Sequence, residues 1–279
     1  MFYIVCALSC EAKPLVLSLS LRKDQFSCPY ETYLAEDRSC ALVVSGPGAL
    51  AAASATTYLL TRFGFRKDQD FLLNYGSCAG QGECLHLIHK ITDSATGRTF
   101  YPDMSYDLSA RGLPLTSEKA LTTCYQVVSS LEDPDMLYDM EASGIYQAAS
   151  HFVPPHRMVF LKFVSDAGVK ADPTKRLTPG DLTKMSEKHV ATVTSVMETL
   201  SGACRPQATF DEALFEQTAS ELCASETMCN ELRQLFQYAL ASEQDLPGIL
   251  AELHQDGKLP APAKREGKVV LDEIRQHLM

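Results

Sequence analysis

Residues 158–164 read Met-Val-Phe-Leu-Lys-Phe-Val and run directly into Ser165-Asp166. Almost every side chain in this run is apolar, so it is expected to be a strand covered on both faces, as in a parallel sheet flanked by helices. Upstream, residues 138–149 predict a helix in which Glu141, Ile145, Ala148 and Phe152 share one stripe, followed by a Pro154-Pro155 break. The stripe would be apolar but for the glutamate at its head. The strand puts an aspartate at its carboxyl end, where open α/β sheets bind ligands. Each acid also has a plain structural reading, Glu141 as a first-turn carboxylate favoured by the helix dipole and Asp166 as a loop residue capping a turn.

At 279 residues the chain has room for one α/β domain of about 200 residues and an appendage. The expected division is 1–200 and 201–279. Beyond residue 200 the apolar spacing is helical through Phe210-Leu214-Thr218-Leu222 and Leu232-Leu235-Phe236-Ala239-Leu240, with breaks at Pro247 and Leu259-Pro260-Ala261-Pro262. A last helix is predicted over about 264–277. This extension holds 7 Lys and Arg against 13 Asp and Glu, whereas the first 200 residues hold 18 against 22. It reads as an acidic helical bundle packed on its own catalytic domain, with a partner-binding module as the alternative.

The net charge of −10 comes without a basic stripe, which argues against nucleic acid or an anionic membrane as partner and for a small molecule. Ten cysteines are scattered without a Cys-x-x-Cys pair and several lie in apolar runs, as reduced thiols do, so a cytoplasmic setting is expected. Their spacing offers no zinc site and the histidines are isolated; no metal is expected. Residues 1–8 form a first strand rather than a signal peptide, and the Ala-rich stretch 41–60 is broken by Gly46-Pro47-Gly48, so no membrane span is expected.

Further strand ends carry chemistry. The first strand leads to Ser9-Cys10-Glu11; Ala41 to Ser45 leads to Gly46-Pro47-Gly48 and a helix over about 49–62; Asp70 to Asn74 leads to Tyr75-Gly76-Ser77-Cys78-Ala79-Gly80. Glu11 on position alone is a helix-start acid. The 46–48 turn suits either ligand approach to the backbone or close helix packing. Segment 85–110 reads as strand and loop. Four strand ends and one helix start would converge on a single site.

In these motifs the chain resembles the nucleoside phosphorylase superfamily, and most closely its 5′-methylthioadenosine/S-adenosylhomocysteine nucleosidase branch. Asp139-Met140-Glu141-Ala142 and Ser165-Asp166 carry the resemblance most strongly, supported by Ala7 to Glu11, Ser45 to Gly48 and Asn74 to Gly80. The resemblance covers about residues 1–200. It implies a three-layer α/β/α fold around a mixed sheet, a homodimer, no cofactor, and cleavage of a purine N-glycosidic bond. Asp166, helped by Ser165, would protonate the purine. Glu141 would accept the ribose hydroxyls, Met140 would pack on the sugar, and Ser77 would orient the ribose and the nucleophile. Glu11 would be the general base, and Gly46, Gly48 and Gly76 would bring backbone to the substrate.

The segment Arg111 to Leu121 matches a family register in which the residue that stacks on the purine falls at Ala120, leaving Leu121 to offer backbone hydrogen bonds to the base. Asn74 stands where related phosphorylases carry a phosphate-binding arginine, which favours water as nucleophile. The alternatives are a purine nucleoside phosphorylase, a nucleosidase for another purine nucleoside such as futalosine, and a nucleoside-binding regulatory protein with a partner-binding tail.

Overall fold

The computed structural model describes residues 1–26, 29–82, 84–102, 108, 118–128, 131, 133, 135–167, 177–203 and 210–278. Arg111 to Ser117, quoted above, and most of 103–110 lie outside them. The chain divides into two compact units, Met1–Cys204 and Arg205–Met279.

The first unit runs β1 (Phe2–Cys6), α1 (Ser9–Ser18), β2 (Arg22–Lys23), β3 (Glu31–Leu34), β4 (Cys40–Val44), α2 (Ala49–Phe63), β5 (Phe71–Ala79) and β6 (Leu85–Asp93). It continues with β7 (Thr99–Phe100), β8 (Glu118–Thr123), β9 (Leu137–Asp139), α3 (Ala142–Ala149), β10 (Met158–Asp166), α4 (Pro179–Glu187) and α5 (Val190–Ala203). The strands form one mixed sheet in the order β10-β6-β8-β9-β5-β1-β4-β3-β2, with β7 on β6. Strand β10 also pairs with β5, in parallel from Met158↔Leu72 onward, so five strands close on themselves. Strands β4, β1, β5 and β10 are parallel, and their carboxyl ends therefore share one edge.

Successive side chains of a strand point to opposite faces, and here both faces are covered. Ile4, Leu42, Leu73, Leu161 and Phe163 form one core with Leu15 of α1 and Val193, Val196 and Leu200 of α5. Tyr3, Val5, Val43, Leu72 and Phe160 form the other with Ala52, Ala55 and Leu59 of α2 and Ile145 and Ala149 of α3. Helix, sheet and helix make the three layers expected from the sequence.

Small residues set how closely the second helix layer packs. A Cβ on Gly144 would lie 2.0 Å from the carbonyl oxygen of Ala49, so α3 rests against the backbone that opens α2. Gly48, at φ 100°, closes the turn before α2 in a conformation that L side chains rarely adopt.

Two boundaries differ from the sequence reading. Tyr138 and Asp139 belong to β9, parallel to β8, and the helix begins only at Ala142. The strand after Asp70 does not stop at Asn74 but carries Gly76-Ser77-Cys78 within β5, because β10 pairs with it along that whole length.

The second unit contains α6 (Glu212–Glu221), α7 (Glu226–Ala241), α8 (Leu246–Gln255) and α9 (Lys264–Leu278). Phe215, Leu232, Leu235, Phe236, Leu250, Leu271 and Ile274 are among the residues of its own core. Pro247 does not break a helix but begins one: it sits in the first turn of α8, where its missing N–H costs nothing, and the Asp245 carboxylate accepts from Gly248 N at 3.0 Å as the cap.

Candidate active site

The site grows from the shared carboxyl edge. Strand β1 ends at Cys6 and the chain turns into α1, whose third residue is Glu11. Its carboxylate folds back to accept from Leu8 N at 3.1 Å, as a helix-start acid does, while the other oxygen accepts from Ser77 N at 2.9 Å and from Ser77 Oγ. Glu11 is 1% exposed, and a Cβ on Gly76 would lie 3.2 Å from its Oε2. The glycine is what lets the carboxylate lie over β5.

Glu141 occupies the N-cap position of α3, but its side chain makes no capping bond to that helix. Its Oε1 accepts from Gly48 N at 3.0 Å, joining the turn before α2 to the start of α3, and its side chain is otherwise buried. Burial, and then the carboxylate of Asp139, push its pKa up to about 7, against the pull of Lys162 and of the Gly48 N–H and with a further push from Glu11. At the end of β10, Ser165 Oγ donates to Asp166 Oδ2 at 2.8 Å and reaches Cys78 O at 3.3 Å.

One pocket gathers these groups. Glu11, Ser77, Met140, Glu141, Ser165 and Asp166 all line it, with Pro47 of the glycine turn, and its cavity volume is about 170 Å³. Gly46 and Gly48 flank Pro47, and Gly76 underlies Glu11, but none of the three is itself among the residues that line the pocket.

Leu121 is not part of it. It lies in β8 between Ile91 of β6 and Leu137 of β9, fully buried in the core, with its backbone inside the ladder. Ala120, beside it, pairs with Lys90. The pocket is instead lined by Gln126, Val127 and Val128, just beyond the end of β8, with Val127 65% exposed. The register carried over from Arg111 thus fell, at Leu121, on a residue of the sheet, and sequence reading missed residues 126–128 as lining of the pocket. Thr122-Thr123 ending a strand before Cys124 to Val128 was the signal available.

Sequence reading also missed a buried ion pair, between Lys162 and the pocket-lining Asp139. Lys162, in the middle of the apolar strand, is 1% exposed, and its Nζ lies 2.9 Å from Asp139 Oδ2. Asp139 further accepts from Thr123 Oγ1 at 2.7 Å and Ala142 N at 2.9 Å. Burial alone would strip the lysine of its proton, but Asp139, Glu141 and Glu11 together hold its pKa above the ordinary lysine value. It is a fixed cation.

No family model and no curated protein matches the sequence. Solved structures do. The futalosine hydrolase of Helicobacter pylori strain 26695, as a mutant, superposes with a TM-score of 0.58 at 14% identity, covering 71% of this chain and 98% of that one. The 5′-methylthioadenosine nucleosidase of Arabidopsis thaliana gives 0.59 at 20% identity, covering 72% and 96%. The 5′-methylthioadenosine/S-adenosylhomocysteine nucleosidase of Neisseria meningitidis, in complex with methylthio-immucillin-A, gives 0.56 at 20% identity, covering 72% and 98%. With its mixed sheet between helix layers, the chain has the nucleoside phosphorylase-like fold of these nucleosidases.

Proposed function

We propose that the protein is a purine nucleosidase that hydrolyses the N-glycosidic bond of adenine nucleosides such as 5′-methylthioadenosine or S-adenosylhomocysteine. The observation that carries this reading is the meeting of Glu11, Ser77, Met140, Glu141, Ser165 and Asp166, drawn from four separate segments, around one pocket. Cleavage of such a bond needs an acid for the leaving base, support for a cationic sugar, and an activated nucleophile.

Asp166, oriented by Ser165, gives its proton to the purine while the C1′–N bond breaks and its electron pair leaves with the base. Glu141 accepts the ribose hydroxyls, and its negative charge counts most as positive charge builds on the sugar. Met140 packs against the sugar. Glu11, held by Leu8 N and Ser77, takes a proton from water as the water oxygen bonds to C1′. Val127 and Val128 offer apolar contact to the base in place of an aromatic ring.

Water is favoured over phosphate by charge. The described residues lining the pocket include Glu11, Asp139, Glu141 and Asp166 but no lysine or arginine, and Lys162 is already paired with Asp139. A phosphate dianion would meet repulsion there. The test is purine release from methylthioadenosine, S-adenosylhomocysteine, futalosine, adenosine and inosine, each with and without phosphate. Phosphate-independent release of adenine from the first two is expected. Release only with phosphate, or none from any of them, would overturn the reading.

A further inference from the structure

Buried lysines are rare because an ammonium loses its water shell, and they persist where carboxylates replace it. Lys162 stands on β10 opposite Gly76 in the β5 register, and the space a side chain at Gly76 would take is filled by the Glu11 carboxylate. Its partner Asp139 is fixed from three other sides. Thr123 of β8 donates to Oδ1, Ala142 N of α3 donates to Oδ2, and Asp139's own backbone carbonyl accepts from Cys124 N at 2.7 Å. Asp139 ends β9 and is two residues before Glu141 in the chain. The ion pair therefore ties the end of β9 to β10 at the place where the chain turns to present Glu141.

The charged groups acting on Glu141 come from several elements: Glu11 on α1, Asp139 on β9, Lys162 on β10 and the Gly48 N–H opening α2. Asp166, at the end of β10, lines the same pocket. Lys162 is the one positive side chain among them. Three buried carboxylates so close together would not all stay ionised without a cation.

We propose that Lys162 is a positioning residue for Glu141, and that with Asp139 it holds that side chain in the pocket as a carboxylate able to accept the ribose hydroxyls. This rests on the nucleosidase reading for its use, but not for its test. Removing the two charges must act in opposite directions. Lys162→Met takes away the attraction that favours the Glu141 anion, and Asp139→Asn takes away a repulsion that opposes it.

The experiment is a ¹³C-carboxyl NMR titration of Glu141 in the full chain without substrate, with the resonance assigned from Glu141→Gln. Expected are a midpoint about one pH unit higher in Lys162→Met and about one unit lower in Asp139→Asn. Lys162→Arg should stay near the wild type, and the double variant Lys162→Met/Asp139→Asn should return toward it. The acid limb of kcat/KM for purine release should follow, so that Lys162→Met loses about fivefold at pH 7 and recovers at pH 9. A purely structural lysine would instead lower activity alike at every pH.

If Lys162→Met alone fails to fold, Asp139→Asn, Lys162→Arg and the charge-neutral double variant still decide. Midpoints that do not move, or that move in the same direction in Lys162→Met and Asp139→Asn, overturn the proposal. Midpoints that move as expected in a protein that releases no purine uphold it and overturn the nucleosidase reading instead.

Discussion

At the scale of single residues the pocket joins groups whose plain and chemical roles coincide. Glu11 is a helix-start acid by its bond to Leu8 N, and the same carboxylate is held by Ser77 at the mouth of β5. Substituting Asp166 by Asn keeps the shape and removes the acid that the proposed mechanism requires; purine release is expected to fall by about 10²- to 10⁴-fold, measured as kcat/KM. Glu141→Gln separates activity from stability. Its folded pKa of about 7 lies above the ordinary carboxylate value, so its contribution to stability is fully present below about pH 4 and is lost as pH rises through 7. The glutamine variant should lose purine release and, between pH 5 and pH 8, avoid a loss on the order of 2 kcal/mol that the wild type suffers, as read from urea unfolding at both pH values.

At the scale of elements, the contact between α2 and α3 decides whether Gly48 N reaches Glu141. Gly144→Ala would drive a Cβ into the carbonyl of Ala49, backbone that cannot swing aside, and should cost about 2 to 3 kcal/mol by chemical denaturation while weakening activity. The strands and helices around this contact were legible from periodicity and turn residues: β4, the glycine turn and α2 fall where the sequence puts them. Where the reading failed, local pattern was insufficient. Tyr138-Asp139 continues a helical spacing in sequence but pairs with β8 in space, because a neighbouring strand with open hydrogen-bonding groups outweighs local preference. Leu121, taken from the family register as a backbone contact to the base, is instead enclosed by β6 and β9.

At the scale of the whole molecule the two units have separate cores, which predicts separable folding. A protein consisting of residues 205–279 should show helical circular dichroism and a cooperative thermal transition, since its buried Phe, Leu and Ile side chains pack on one another. An unfolded segment would mean that this core is too small to stand alone. Within that unit Gly267 faces the carbonyl of Leu222, with only 1.8 Å available to a Cβ, so Gly267→Ala should lower the midpoint of that transition.

By itself the sequence determined the layered α/β plan, because continuous apolar strands alternating with amphipathic helices can bury their surfaces in few other ways. It also determined which acids and glycines stand at strand ends and helix starts. Tertiary structure alone decided which charges meet. Lys162 is one polar letter in an apolar strand and Asp139 one acid beside a more conspicuous one; nothing local distinguishes them from surface residues. Their pairing follows from β10 and β9 both lying beside β5, contacts that link residues far apart in the chain. Burial and the distances between charges are properties of that packing, and they give Glu141 its pKa.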